Sequence, residues 1–282
     1  MSINWYPGHM TAARRKMQED IKLCDIVIEL LDARIPFSSS NPDIKTLANN
    51  KKRLIILNKS DMADSKVTES WIDYFKNQNI MAIPIDARVR KQTITITNAV
   101  RETCKDKLER DKKRGIAARP IKAMIVGIPN VGKSTFINSY VGKTAAKTGN
   151  KPGVTRGNQW IRISKDINLL DTPGILWPKF DDPEIGYRLA SIGSINDDIL
   201  EMRDIAMFII DFMQSNYCNV LKDRYMIMDG LEKEFILGVI ADNKKCVKKG
   251  GEPDIDKAAK LLIDDLRSGN LGRISLENPE SI

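Results

Sequence analysis

Two short segments restrict the fold of this 282-residue chain more than any other feature. Gly127-Ile128-Pro129-Asn130-Val131-Gly132-Lys133-Ser134 follows the apolar run Lys122 to Val126 and precedes Thr135 to Tyr140, which reads as the start of a helix. Strand, glycine-bounded loop and helix in that order build a phosphate cradle, because glycine lets backbone N–H groups approach an anion and the helix N-terminus favours negative charge. The second segment, Asn58-Lys59-Ser60-Asp61, follows the apolar strand Leu54-Ile55-Ile56-Leu57. Asp61 can accept hydrogen bonds from N1 and N2 of guanine, a donor pair that adenine lacks, and the Lys59 stem can cover one face of the base. The base motif precedes the phosphate loop. Since each is anchored to the end of a parallel strand, the pocket depends on where the strands lie and survives a circular permutation.

Further segments fit the same pocket. Lys133 can reach the β and γ oxygens of a nucleoside triphosphate, and Ser134 can ligate Mg²⁺. Asn130, Val131, Gly132 and Thr135 complete the loop and the first helical turn. Ile167 to Leu170 is a short strand ending in Asp171-Thr172-Pro173-Gly174, where Asp171 can hold Mg²⁺ through water and the Gly174 N–H can sense the γ-phosphate. Thr155, in the loop Pro152-Gly153-Val154-Thr155-Arg156, is the candidate switch threonine for Mg²⁺. It leans on its neighbours, since a loop threonine alone is usually a turn residue. Ile83-Pro84-Ile85-Asp86-Ala87-Arg88 ends another strand, and a backbone N–H near Asp86 and Ala87 is placed to meet the guanine carbonyl.

Strands are expected at about 26–31, 53–57, 80–85, 121–126, 159–163 and 167–170, with helical segments near 10–24, 41–50, 64–78, 92–114 and 133–141. Alternation of this kind predicts an α/β fold with a mainly parallel, doubly wound sheet. The strands around Lys165-Asp166 are too close for a crossover, so that pair should be antiparallel. The charged segment Lys105 to Arg119 reads as a solvated connecting helix joining the former ends of the domain. From about 183 to the end the pattern is wholly helical, with starts at Asn196-Asp197-Asp198 and Pro253-Asp254-Ile255-Asp256 and stops at Gly250-Gly251 and Gly269. Two domains are therefore expected, 1–178 and 179–282. The second follows directly on Asp171-Thr172-Pro173-Gly174, a route by which nucleotide state can reach a partner.

These motifs, with Trp5-Tyr6-Pro7-Gly8-His9-Met10, Asp32-Ala33-Arg34-Ile35-Pro36 and Arg267-Ser268-Gly269-Asn270-Leu271-Gly272, give the chain a resemblance to the circularly permuted ribosome-assembly GTPases of the RbgA (YlqF) type. Tyr6 stands where Phe is usual, and Asp86 where a small Ser is usual. The resemblance implies a permuted P-loop GTPase domain followed by a small helical RNA-binding domain. It also implies GTP and GDP as ligands with Mg²⁺, and a role in late maturation of the large ribosomal subunit, whose precursor and rRNA it would bind in the GTP form and leave after hydrolysis. Away from the subunit a monomer is expected. In the potassium-stimulated members, the residue matching Asn130 ligates K⁺. The water-orienting Gln of many small GTPases is replaced by Ile175, an apolar residue that cannot orient water. His9, the single histidine, is the candidate for that task, beside Lys133, Thr155 and Gly174 in the catalytic set; packing or an RNA contact is its plain alternative. Two other functions stay open at this stage: an RNA-binding scaffold with GTP as a regulatory ligand, and a permuted GTPase of the small subunit. The latter usually carries an added zinc-binding segment.

Composition agrees without deciding. Lys and Arg number 45 against 37 Asp and Glu, a formal charge of +8, which suits a polyanionic partner. Cys24, Cys104, Cys218 and Cys246 are scattered with no CxxC pair, so neither a zinc site nor a disulfide framework is indicated, and a reducing cytoplasm is expected. No apolar run approaches the roughly eighteen residues of a membrane span.

Overall fold

The computed structural model describes residues 9–48, 50–89, 92–116, 119–141, 159–172, 174, 176–177, 180, 182–197, 201–228 and 230–282. They form two compact units, one of residues 1–180 with 277–282 and one of 181–276.

The first unit is built on a six-stranded sheet of β1 (Ile26–Asp32), β2 (Lys52–Asn58), β3 (Met81–Pro84), β4 (Ile121–Val126), β5 (Gln159–Arg162) and β6 (Ile167–Asp171). The strand order is β3-β2-β1-β4-β6-β5. All neighbours run parallel except β5 and β6, whose antiparallel register pairs Trp160 with Leu170. Every residue of β1 is buried, which explains its unbroken apolar run: a parallel strand covered on both faces has no solvent side. In register, Asp32 faces Asn58, and Ile125 faces Asp171. The carboxyl ends of β1, β2, β4 and β6 thus open on one edge, where ligands of such sheets bind.

Helices α1 (His9–Asp20), α2 (Pro36–Ser39), α3 (Pro42–Leu47), α4 (Ser65–Asn77), α5 (Thr93–Thr103), α6 (Lys105–Lys113) and α7 (Lys133–Val141) complete the described part of this unit. Asp64 caps α4 by accepting from the Lys66 and Val67 N–H groups, and Trp71 and Phe75 join a core with Leu31, Ile55 and Leu57. The helix read from the sequence over 92–114 is two helices. Cys104, 1% exposed, turns into the core between them, whereas α6 buries no residue. A helix charged at every position but Leu108 has no apolar stripe with which to continue α5 across the sheet. It is tethered instead by charge: Lys107 and Arg119 both pair with Asp25, at 3.3 and 2.9 Å.

The second unit contains α8 (Pro183–Ser191), α9 (Met202–Asn216), α10 (Cys218–Tyr225), α11 (Lys233–Asn243) and α12 (Ile255–Ser268). Ile205, Ile209 and Met213 of α9 lie buried at helical spacing. Asp265 of α12 is buried and accepts from Arg224, the Tyr225 hydroxyl and Asn270, each at 2.9 Å. Asp254 caps the start of α12, and Gly269 ends it in the left-handed conformation at φ 82°. The expectation of helix to the end is corrected here. An isolated bridge joins Val247 to Pro253, and beyond α12 the chain is irregular apart from a 3₁₀ turn at Pro279–Ser281. The last six residues, 277–282, belong to the first unit. There the Glu277 carboxylate accepts from the Phe37 and Ser38 N–H groups at 2.8 and 3.0 Å and from the Ser38 hydroxyl, while Trp71 Nε1 donates to the Glu277 carbonyl. No helix among the described residues is long and apolar enough to cross a membrane.

Candidate nucleotide site

Asn58, at the end of β2, ties three loops together. Its Oδ1 accepts the Ala87 N–H at 2.9 Å, and its Nδ2 donates to the Val131 carbonyl at 2.8 Å. The base motif, the loop after β3 and the phosphate loop are thereby fixed to one side chain. The Ala87 N–H, read from the sequence as a contact for the guanine carbonyl, is taken up by Asn58 in this structure. Gly132 is required by the same tether: a Cβ there would lie 2.4 Å from Asn58 Nδ2, and its φ is +99°.

Lys59 adopts a left-handed conformation, φ 60°, unusual for a residue with a long side chain. Its ammonium donates to the Asn130 carbonyl at 3.1 Å and pairs with Asp32 Oδ2 at 2.9 Å. Asn130 is itself left-handed, φ 58°, a conformation asparagine tolerates well. Behind Lys59, Arg34 forks onto Asp32 with Nε at 2.9 Å and Nη2 at 2.8 Å, and both side chains are fully buried. Burial alone would raise the Asp32 pKa, but the charges of Arg34 and Lys59 outweigh it and hold the carboxyl well below the usual range. Sequence reading had assigned Asp32 and Arg34 no task. The available signal was an Asp-Ala-Arg triplet at the end of a wholly apolar strand, where a charge needs a buried partner.

Asp61 is partly exposed. Its Oδ2 receives Arg88 at 2.5 Å, and its Oδ1 is buried without a partner among the described residues. Asp86 sits beside it and accepts from the Arg88 side chain.

On the phosphate side, Lys133 opens α7 and its ammonium donates to the carbonyls of Gly127 and Ile128 at 2.9 and 3.0 Å. Burial pulls its pKa down to about 8, against the opposing charge of Asp171. Ser134 and Thr135 follow in the first turn of α7, where N–H groups point out of the helix end. Asp171 closes β6. Burial pushes its carboxyl up to about 6 although Lys133 is near, and its Oδ1 is buried without a partner among the described residues. Thr172 donates its hydroxyl to the Ile125 carbonyl at 2.7 Å, binding this loop to β4. Gly174 then passes so close that a Cβ would lie 2.9 Å from Lys133 Nζ and from the Pro129 nitrogen. Thr155, Ile175 and residues 5–8 lie outside the described residues, as does the side chain of His9, whose backbone begins α1.

The structure therefore brings Asn58, Lys59, Asp61, Asp86 and Ala87 to one edge with Asn130, Val131, Gly132, Lys133, Ser134, Asp171 and Gly174. The Asp171 Oδ1 at the end of β6, without a partner among the described residues, and the Ser134 hydroxyl in the first turn of α7 are oxygen donors of the kind a small hard dication takes. A family profile described as a 50S ribosome-binding GTPase matches residues 122–241. A ribosome biogenesis GTPase A of Bacillus cereus is 47% identical, over 99% of this chain and 95% of its own. Its namesake in Thermotoga maritima is 32% identical, over 99% and 96%. Among solved structures, a GDP-bound structure of TM YlqF matches 94% of this chain and 100% of its own at 29% identity and a TM-score of 0.66. GNP-bound YlqF from T. maritima matches 96% and 100% at 28% identity, with the same TM-score. Identity of this extent along nearly the whole chain settles the matter: the chain belongs to the ribosome biogenesis GTPase A family.

Proposed function

We propose that this protein is a GTP hydrolase that assists late assembly of the large ribosomal subunit, binding the precursor and its rRNA in the GTP form and leaving after hydrolysis. One observation carries the nucleotide part: the Asn58 side chain joins a guanine-reading motif to a phosphate loop that lies 73 residues away in sequence. Its relatives bear a GTPase name, and solved neighbours are described as bound to GDP or GNP. The large-subunit part is supported by the description of the matching profile. We read the motif order as a circular permutation; the profile match beginning at residue 122, downstream of Asn58 to Asp61, supports this.

Asp61 would read the guanine N1–H and N2–H groups, with Lys59 along the base. Lys133, which donates to two loop carbonyls in this structure, would transfer those hydrogen bonds to the β and γ oxygens. Gly174, which packs on Lys133 and Pro129, would present its N–H to the γ-phosphate. Ser134, Asp171 and Thr155 would hold Mg²⁺, which supplies neutralising charge to the phosphate oxygens. Asn130 would ligate K⁺, and His9 would orient the attacking water in place of the glutamine that Ile175 replaces. Cytoplasmic residence follows from this role.

Multiple-turnover hydrolysis with purified large subunits, small subunits or neither tests the reading. Stimulation by large subunits alone is expected, falling when Na⁺ replaces K⁺ or when His9→Ala is used with subunit binding retained. Stimulation by small subunits, or none at all, overturns it.

A further inference from the structure

The base-reading carboxylate has a neighbour that neither the motif nor the family resemblance assigns. Arg88 donates from Nη2 to Asp61 Oδ2 at 2.5 Å. The same guanidinium is held by Asp86, with Nε on Oδ1 and Nη2 on Oδ2, both at 2.9 Å. The Arg88 backbone N–H also donates to Asp86 Oδ1 at 2.9 Å, and the Asp86 N–H donates to Gln92 Oε1 at 2.9 Å. The guanidinium is thus fixed on Asp86 by a bidentate pair and a backbone bond, and a single nitrogen with two hydrogens serves both carboxylates.

We propose that Arg88, fixed by Asp86, is a positioning residue for guanine recognition, setting the rotation of the Asp61 carboxylate so that both oxygens meet the N1–H and N2–H edge of the base. This rests on the guanine-site reading above. The terminal torsion of an aspartate is broad, so an untied carboxylate samples many rotations, and ordering it on binding costs affinity. Each ionised oxygen has two lone-pair sites, so Oδ2 accepts Arg88 and a base N–H together. A donor beside the Asp61 carboxylate is what fixes its rotation. Asp86 offers none, and it lies close enough to Asp61 to contact the same nitrogen. Arg88 supplies the missing donor and cancels the repulsion between the two carboxylates. Its side chain is 61% exposed, so the ion pair adds little to folding and its effect falls on the ligand.

The test is equilibrium binding of GDP, IDP and XDP to the full chain. IDP lacks the 2-amino group, so the GDP-to-IDP preference reads the N2–H contact. Arg88→Ala is expected to weaken GDP roughly tenfold, the scale of one charge-assisted hydrogen bond. IDP should weaken less, and the nucleotide-free melting temperature should stay unchanged. Asp86→Ser combined with Arg88→Ala should recover most of the GDP affinity and the preference. Unchanged binding in Arg88→Ala, an equal loss for GDP and IDP, tighter GDP, or no recovery in the double variant each overturns the positioning role. Asp61→Asn separates this from the underlying reading. A switch toward XDP alongside an indifferent Arg88→Ala sinks only the positioning role, and no switch sinks the guanine site itself.

Discussion

The base side of the site and its phosphate side are built of similar residue types, yet they differ in how far their polar chemistry is already satisfied. On the base side, Asn58 uses both ends of its amide, Lys59 has a carboxylate and a carbonyl, and Asp32 and Arg34 neutralise each other in full burial, so that Asp61 alone keeps a buried oxygen with no partner among the described residues. On the phosphate side, Asp171 has an oxygen with no partner among the described residues and a raised pKa, and Lys133 has carbonyls for partners and a lowered one. Asn58 and the Asp32–Arg34 pair contribute to folding, whereas Asp171 and Lys133 are held at a cost that a phosphate and a dication would offset. Chemistry that stabilises a developing charge must be in place before the charge arrives, and it is uncomfortable until then.

The largest effect that would break this contrast belongs to Asp32. Asp32→Ala removes the buried carboxylate that the Arg34 and Lys59 charges share, and should destabilise the nucleotide-free protein by about 3–5 kcal/mol in urea unfolding. A loss under about 1 kcal/mol would mean that the base side is not the stabilising half.

Next is the pH response of Asp171. Its folded pKa, about 6, lies above the ordinary 3.8, so the folded state binds the proton more tightly. The associated stability is full below about pH 4 and is lost as pH rises through 6, a change of up to about 3 kcal/mol. Without nucleotide, wild type should fall relative to Asp171→Asn across this window. With Mg²⁺ and GDP the sign should reverse, because the ion needs the ionised carboxylate. Parallel profiles with and without Mg²⁺ would remove Asp171 from the metal site.

The smallest expected effect sharpens the comparison. Asn58→Ala leaves the Ala87 N–H and the Val131 carbonyl without their partner and should cost about 1–3 kcal/mol. Guanine nucleotide affinity should fall with it, since two loops lose their common tether. Retained affinity would show that the loops hold their positions without Asn58.

Much of this was legible in the chain because the signals are contiguous. Each strand of the sheet except β5 carries a short apolar run, and the antiparallel turn at Lys165-Asp166 followed from length alone. The phosphate loop reads directly, since loop, lysine and helix start are adjacent residues. The change from Thr93–Thr103 to the charged run after Lys105 was legible, but not that the break falls at Cys104 and turns it into the core, since that depends on what packs around it. Asp86 was read into the pocket through the backbone N–H beside it, and Arg88 was given no task; the placement of β2 beside β3 puts both side chains next to Asp61.

The sequence by itself determined most of the elements and the candidate residues for phosphate and base chemistry, since propensity, hydrophobic period and motif spacing are properties of neighbours along the chain. Tertiary structure alone decided the partners. Asn58 reaches across 29 and 73 residues, Arg88 across 27, and Glu277 across 239 to Ser38. A hydrogen bond is chosen by distance and direction in space, and those are set only when the strand ends have been brought to one edge of the sheet.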